Sequence, residues 1–176
     1  MSEIAIRPAG AGDLAALHGL VEGAYRGDSA RRGWTHEADL LDGQRTDVEA
    51  LTELLADPTQ SVLAAEAGGD LIGCVCITDK GQGTTYLGML SVDPARQSGG
   101  LGRRLVRAAE DTAMTRFGAD RMEMTVIHSR GELIAWYERL GYAATGERRP
   151  FPMGDVRFGL PKATDLTFLV LARDLG

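Results

Sequence analysis

Between Ser61 and Val92 three apolar runs follow one another with only tight turns between them. Ser61–Ala67, Asp70–Thr78 and Thr84–Val92 each read as a strand, and Gly68–Gly69 is a two-residue hairpin signal. A parallel crossover needs about a dozen residues or more. These strands are therefore antiparallel neighbours, and a doubly wound parallel sheet is excluded.

The flanking segments supply helices to cover such a sheet. A short strand at Ile4–Arg7 precedes a helix from Asp13 to about Tyr25, with Leu14, Leu17 and Val21 on one stripe and Asp13 as its cap. A second helix begins at Thr46, where Thr46 and Glu49 have capping-box spacing, and carries Leu51, Leu54 and Leu55 toward Pro58. Beyond Val92 a helix spans about Gly100 to Phe117, followed by a strand at Arg121–Ile127. Ser129 and Glu132 make another capping box, opening a helix that ends at Leu140 with Gly141 in the C′ position. Two last strands, Tyr142–Arg148 and Leu166–Arg173, flank a loop rich in Pro and Gly. The order β-α-α-β-β-β-α-β-α-β-β predicts an α/β layer fold with a mixed, mostly antiparallel sheet. At 176 residues, one domain spanning 1–176 is expected.

Composition narrows the function. Hydrophobic residues at 44% and charged residues at 25% suffice for a core and argue against disorder. No apolar run reaches about 18 residues, and Met1, Ser2, Glu3 and Ile4 carry no secretory pattern, so a cytoplasmic protein without a membrane partner is expected. Cys74 and Cys76 share one face of a strand and are too few for zinc; they read as small core residues, and no metal is expected. A net charge of −6 disfavours nucleic acid and mildly favours a cationic acceptor. Positive charge nonetheless gathers at Arg96, Arg103, Arg104 and Arg107.

That cluster surrounds the segment Leu90-Ser91-Val92-Asp93-Pro94-Ala95-Arg96-Gln97-Ser98-Gly99-Gly100-Leu101-Gly102-Arg103. A strand ends there and a Gly-rich turn bends into the first turn of a helix, where backbone N–H groups and the helix dipole face outward. Such a turn is an anion cradle suited to a pyrophosphate. No Lys follows Gly102, which excludes a P-loop, and Leu105 stands where a dinucleotide fold needs its third Gly. The remaining string, Gln97-x-x-Gly100-x-Gly102 behind Leu90-Ser91-Val92, resembles the acetyl-CoA signature of the GCN5-related N-acetyltransferase superfamily. Glu132-Leu133-Ile134-Ala135-Trp136-Tyr137-Glu138-Arg139-Leu140-Gly141-Tyr142 resembles the same superfamily's helix and turn ending in Tyr-Glu-Lys-x-Gly-Phe.

The resemblance implies an acyl-CoA N-acyltransferase fold of about seven strands and four helices. It implies acetyl-CoA as co-substrate, with direct transfer to a primary amine of a small molecule in a ternary complex. In that family two neighbouring strands splay apart to admit the pantetheine arm; here they would be Thr84–Val92 and Arg121–Ile127. Leu90, Ser91 and Val92 would then line the arm, and Gln97, Ser98, Gly99, Gly100, Leu101, Gly102 and Arg103 would hold the pyrophosphate. Tyr137 matches the tyrosine that donates a proton to the departing thiolate. Arg130 stands where many members place an Asn against the cofactor, and Tyr86 stands where histone-modifying members place a glutamate base. For the acceptor, Trp34 and Phe151 are candidate walls, Glu37 or Asp39 a candidate ammonium site and Arg149 a candidate carboxylate site. His36 and His128 are candidate bases. Two other functions fit the same residues: a catalytically idle acyl-CoA sensor, and acetylation of a protein or peptide. A homodimer stays open.

Overall fold

The computed structural model describes residues 3–25, 41–42, 47–150, 160–161 and 167–176. They form β1 (Ala5–Pro8), α1 (Leu14–Tyr25), β2 (Leu41–Asp42), α2 (Val48–Ala56), β3 (Gln60–Ala67), β4 (Asp70–Gly81) and β5 (Thr84–Val92). Then come α3 (Leu101–Phe117), β6 (Arg121–Ile127), α4 (Gly131–Arg139), β7 (Ala143–Pro150), β8 (Leu160–Pro161) and β9 (Thr167–Asp174). The main sheet has 7 strands in the order β1-β3-β4-β5-β6-β9-β7. Only β5 and β6 pair in parallel; the other neighbours are antiparallel. This is the mixed, mostly antiparallel sheet expected from the hairpins at its centre.

Helices cover both faces. Leu17 and Val21 of α1 and Leu51 of α2 pack with Val62, Cys74, Cys76 and Met89 on one face, here called the front. Cys74 and Cys76 are the small core residues expected, and burial pushes the Cys76 thiol up to about 11. On the back, Leu101, Leu105, Val106, Ala109 and Ala113 of α3 join Tyr137 and Leu140 from α4 and its C-terminal turn over Leu63, Val75, Leu87, Met122 and Met124. Gly73 makes the close seat of α3 possible. A Cβ there would lie 2.9 Å from Leu105 and 3.2 Å from Leu101.

Three helix starts differ from the sequence reading. Asp13 is not the cap of α1; it ends a 3₁₀ turn at Ala11–Asp13, where its carboxylate accepts from the Gly10 N–H at 2.8 Å and from Arg7 at 2.9 Å. The cap of α2 is Asp47, which accepts from Ala50 N–H at 2.7 Å, one position past the Thr46 expected. A Thr and an Asp side by side offer the same chemistry, and spacing alone does not choose between them. The helix α4 starts at Gly131 behind Arg130 with no side chain capping it, so the Ser129–Glu132 box does not form. Gly141, at φ +103°, does close that helix as expected. The short ladder pairing Leu41 with Pro161 and Asp42 with Leu160 was not foreseen.

Candidate active site

The strands β5 and β6 pair over three rungs only, Thr84 with Arg121, Thr85 with Met122 and Tyr86 with Glu123. Both strands run on past the last rung, to Val92 and Ile127, without pairing again. The cause lies in β5. On its other side Cys74 pairs with Ser91 and Cys76 with Gly88, so two steps of β4 face three of β5. That extra residue is a bulge, and Met89 within it has φ +56°, a left-handed conformation uncommon for a side chain of its size. The Met89 carbonyl accepts from the Ser91 hydroxyl at 3.1 Å and sits 3.6 Å from the Cys74 thiol. Bulge and sheet twist turn β5 away from β6, leaving a gap lined by Leu90, Ser91 and Val92 on one side and by the end of β6 on the other.

Above this gap the chain enters α3. Asp93 caps a 3₁₀ turn at Pro94–Gly99, and Gly100 follows in a left-handed conformation at φ +75°. The first helical bond runs from Arg104 N–H to the Gly100 carbonyl. The N–H groups of Leu101, Gly102 and Arg103 precede it, and the N-cap, Gly100, has no side chain to bond them. An ideal Cβ at Gly99 or Gly100 meets nothing within 4 Å, so the turn presents bare backbone and the positive end of α3 to whatever approaches. This geometry fits a diphosphate. The Arg96 and Arg103 side chains are exposed and make no ion pair among the described residues. Arg104 instead reaches the Ile4 carbonyl at 3.3 Å, and Arg107 lies 3.5 Å from Glu110.

Gly102 also makes room for a neighbour. A Cβ there would stand 3.3 Å from the Trp136 ring, so its bareness accommodates the indole of α4. Trp136 meets Tyr137 edge-on with centroids 4.9 Å apart, and Tyr137 meets Tyr142 at 6.0 Å. Tyr137 is 6% exposed. The cradle and the candidate proton donor are thus joined through one aromatic contact. Arg130 stands between the end of β6 and α4, its N–H bonded to the Ile127 carbonyl at 3.0 Å.

On β6, Met122, Met124 and Val126 belong to the core under α3 and α4. Alternation turns Glu123 and Thr125 to the front, the side α1 and α2 cover. The Thr125 and Tyr86 hydroxyls share a hydrogen bond, and the Tyr86 ring lies against Gly88. Glu123 is buried and pairs with Arg149 of β7 at 3.0 Å. Arg149 also holds Glu147 at 3.1 Å, and the two carboxylates raise the already high pKa of its guanidinium. Of the expected acceptor residues, Arg149 therefore lies on the front face with a carboxylate partner. Trp34, Glu37, Asp39, His36 and Phe151 lie outside the described residues. His128 turns to Thr167, whose carbonyl is 3.3 Å from Nδ1. Glu123 was missed from sequence, although a lone acid between Met122 and Met124 in a buried strand is a signal: such a charge must be paired.

A sheet splayed at a bulge and facing a glycine-headed helix defines a class of acyl-CoA transferases, and comparison agrees. Residues 27–142 match the acetyltransferase (GNAT) family. The chain belongs to that family, as the two motifs implied. N-alpha-acetyltransferase RimI of Mycobacterium tuberculosis is 31% identical over 105 residues, which cover 58% of this chain and 64% of that relative. The chain thus matches less than two thirds of the relative's length. The ribosomal-protein-S18-alanine N-acetyltransferase of Escherichia coli superposes with a TM-score of 0.71 at 17% identity, over 99% of this chain and 95% of that one. The structure of yncA from Salmonella typhimurium with its cofactor acetyl-CoA gives 0.70 at 23% identity, over 98% and 94%. Spermidine N-acetyltransferase from Vibrio cholerae, with CoA and spermine, gives 0.71 at 16% identity, over 98% and 95%. At these identities the solved structures establish the fold. Among the described residues, no helix is long and apolar enough to cross a membrane.

Proposed function

We propose that the chain is a single-domain N-acetyltransferase that moves the acetyl group of acetyl-CoA onto the primary amine of a small molecule, by direct attack in a ternary complex. The observation that carries this reading is the gap beyond Tyr86 and Glu123, which opens toward the uncapped start of α3. Acetyl-CoA supplies a thioester whose carbonyl carbon accepts the amine. The backbone at Gly99, Gly100 and the first turn of α3 holds its diphosphate, with Arg96 and Arg103 adding charge. The strand side of the gap, Leu90 to Val92, orients the pantetheine arm, and a backbone N–H there stabilises charge developing on the carbonyl oxygen. Tyr137 donates a hydrogen bond to the departing sulfur. A phenol near pKa 10 and a thiol near 8.5 make full proton transfer unfavourable, but a hydrogen bond to the developing charge suffices.

The test is thiol release from acetyl-CoA over a panel of small amines and of short peptides with free N-termini. Turnover of small amines, with peptides slower, is the expected result. A second reading, acetylation of a protein N-terminus, draws on the likeness to N-alpha-acetyltransferase RimI. Peptides turning over faster than every small amine would establish it instead.

A further inference from the structure

Glu123 and Arg149 form the one ion pair among the described residues that faces the front at the level where β5 and β6 part. Both are only partly used. The Glu123 side chain is 11% exposed and accepts from Arg149 through Oε1 alone. Arg149 is 33% exposed and makes both of its bonds, to Glu123 and to Glu147, from Nη2. Its Nε and Nη1 donors, and Oε2 of Glu123, bond to nothing among the described residues. Glu147 is 54% exposed, so its charge is largely answered by water. The sheltered part of the face therefore carries one anionic and one cationic valence side by side.

We propose that this pair receives a zwitterionic acceptor, an α-amino acid or a close analogue. The acceptor's ammonium meets Oε2 of Glu123, and its carboxylate meets the Nε and Nη1 donors of Arg149. The inference rests on the N-acetyltransferase reading and adds the substrate class. Sequestering an ion pair is costly, and removing one partner leaves the other charge stranded. A zwitterion completes both members and breaks neither. An amine without an acid group leaves the Arg149 donors unanswered, and an N-terminal peptide carries an amide where the acid should be. Glu123 also sits at the last rung before the gap, so an amine held there lies at the mouth of the space that admits the thioester.

The experiment offers the protein, saturated with acetyl-CoA, the common L-amino acids and, one for one, their α-amides, with simple amines and peptides alongside. At least one free acid is expected to be acetylated, and to exceed its amide in kcat/KM by on the order of 10²-fold, the worth of charge-assisted hydrogen bonds. In Arg149→Gln that ratio should fall close to one with the acetyl-CoA KM unchanged, and Arg149→Lys should restore part of it. Glu123→Gln should slow acid and amide alike. Thermal melting of each variant separates lost recognition from lost fold, and Arg149→Lys keeps the charge should Arg149→Gln unfold. Amides or peptides acetylated as well as the acids would overturn the zwitterion proposal and leave the N-acetyltransferase reading standing. So would an acid-to-amide ratio that survives Arg149→Gln. No amine of any class acetylated, with acetyl-CoA bound, would overturn both.

Discussion

Replacing Gly99 by Glu tests the diphosphate cradle without disturbing the fold. A Cβ at Gly99 meets nothing within 4 Å, and the backbone there is not left-handed, so the substitution carries no steric or conformational strain. Its neighbours are poorer sites. Any side chain at position 100 must adopt φ +75°, and at position 102 it presses on Trp136 at 3.3 Å. A glutamate at 99 can bring its carboxylate to about 5 Å from a bound phosphate. At an effective dielectric of about 20, each unit of like charge at that distance costs about 3 kcal/mol. Salt and the exposure of the turn reduce this to about 2–3 kcal/mol in all, a rise in the CoA dissociation constant on the order of 10²-fold. Calorimetric titration with CoA reads it directly. Gly99→Gln, of equal size and no charge, should bind within a few-fold of wild type, and the gap between the two should narrow as salt rises. A folded Gly99→Glu protein with unchanged affinity would refute the cradle assignment.

Tyr137→Phe keeps the ring that packs between Trp136 and Tyr142, so its melting temperature should hardly move. If the hydroxyl acts only on the leaving sulfur, kcat should fall on the order of 10²-fold at constant acetyl-CoA KM; wild-type kcat with chemistry rate-limiting would make Tyr137 a packing residue. The Arg7 guanidinium, then the Gly10 N–H, hold the Asp13 carboxyl at about 2. A depressed carboxyl contributes stability above its unfolded value near 3.9 and loses it as pH falls through about 2. Allowing for solvent screening, Asp13→Asn should cost about 1 kcal/mol at neutral pH and little at pH 2, read by denaturant titration at both. Arg173→Met leaves buried Glu110 without the guanidinium that holds it at 2.6 Å and 2.9 Å; a loss of about 3 kcal/mol is expected from thermal unfolding, and a neutral effect would mean that Arg107 and water suffice.

The fold was legible because its strongest signals are local. Three hairpin-linked runs from Ser61 to Val92 exclude a parallel architecture, and β5 and β6 have the limits that periodicity gave them. The glycine string also marked the turn into α3. What spacing does not carry is which partner a residue chooses. Thr46 and Asp47 are equal caps on paper, and Asp13 is taken by an arginine six positions back. Gly102 matches the motif, and its lack of a side chain also makes room for Trp136, a contact between residues 34 positions apart that spacing does not announce. Gly88 is the one hint of the bulge beside it, and the left-handed strain itself is borne by Met89, a residue that reads as ordinary strand. Glu123 and Arg149 are 26 positions apart and meet only because β9 lies between their strands, so neither hinted at the other.

Direct attack of an amine on acetyl-CoA in the gap between β5 and β6 can be followed by tracking the acetyl group, the thiol and the protein at once. The protein is mixed with acetyl-CoA labelled in its acetyl group and with the amine panel, while free thiol, acetylated amine and intact protein are followed together by mass spectrometry. Direct transfer requires one thiol released for each labelled acetyl appearing on an amine, no thiol without an amine, and a protein mass that never changes. Labelled acetyl on the protein itself would contradict direct transfer. Acetyl-CoA bound tightly with no thiol released by any amine would make the chain an acyl-CoA sensor rather than an enzyme.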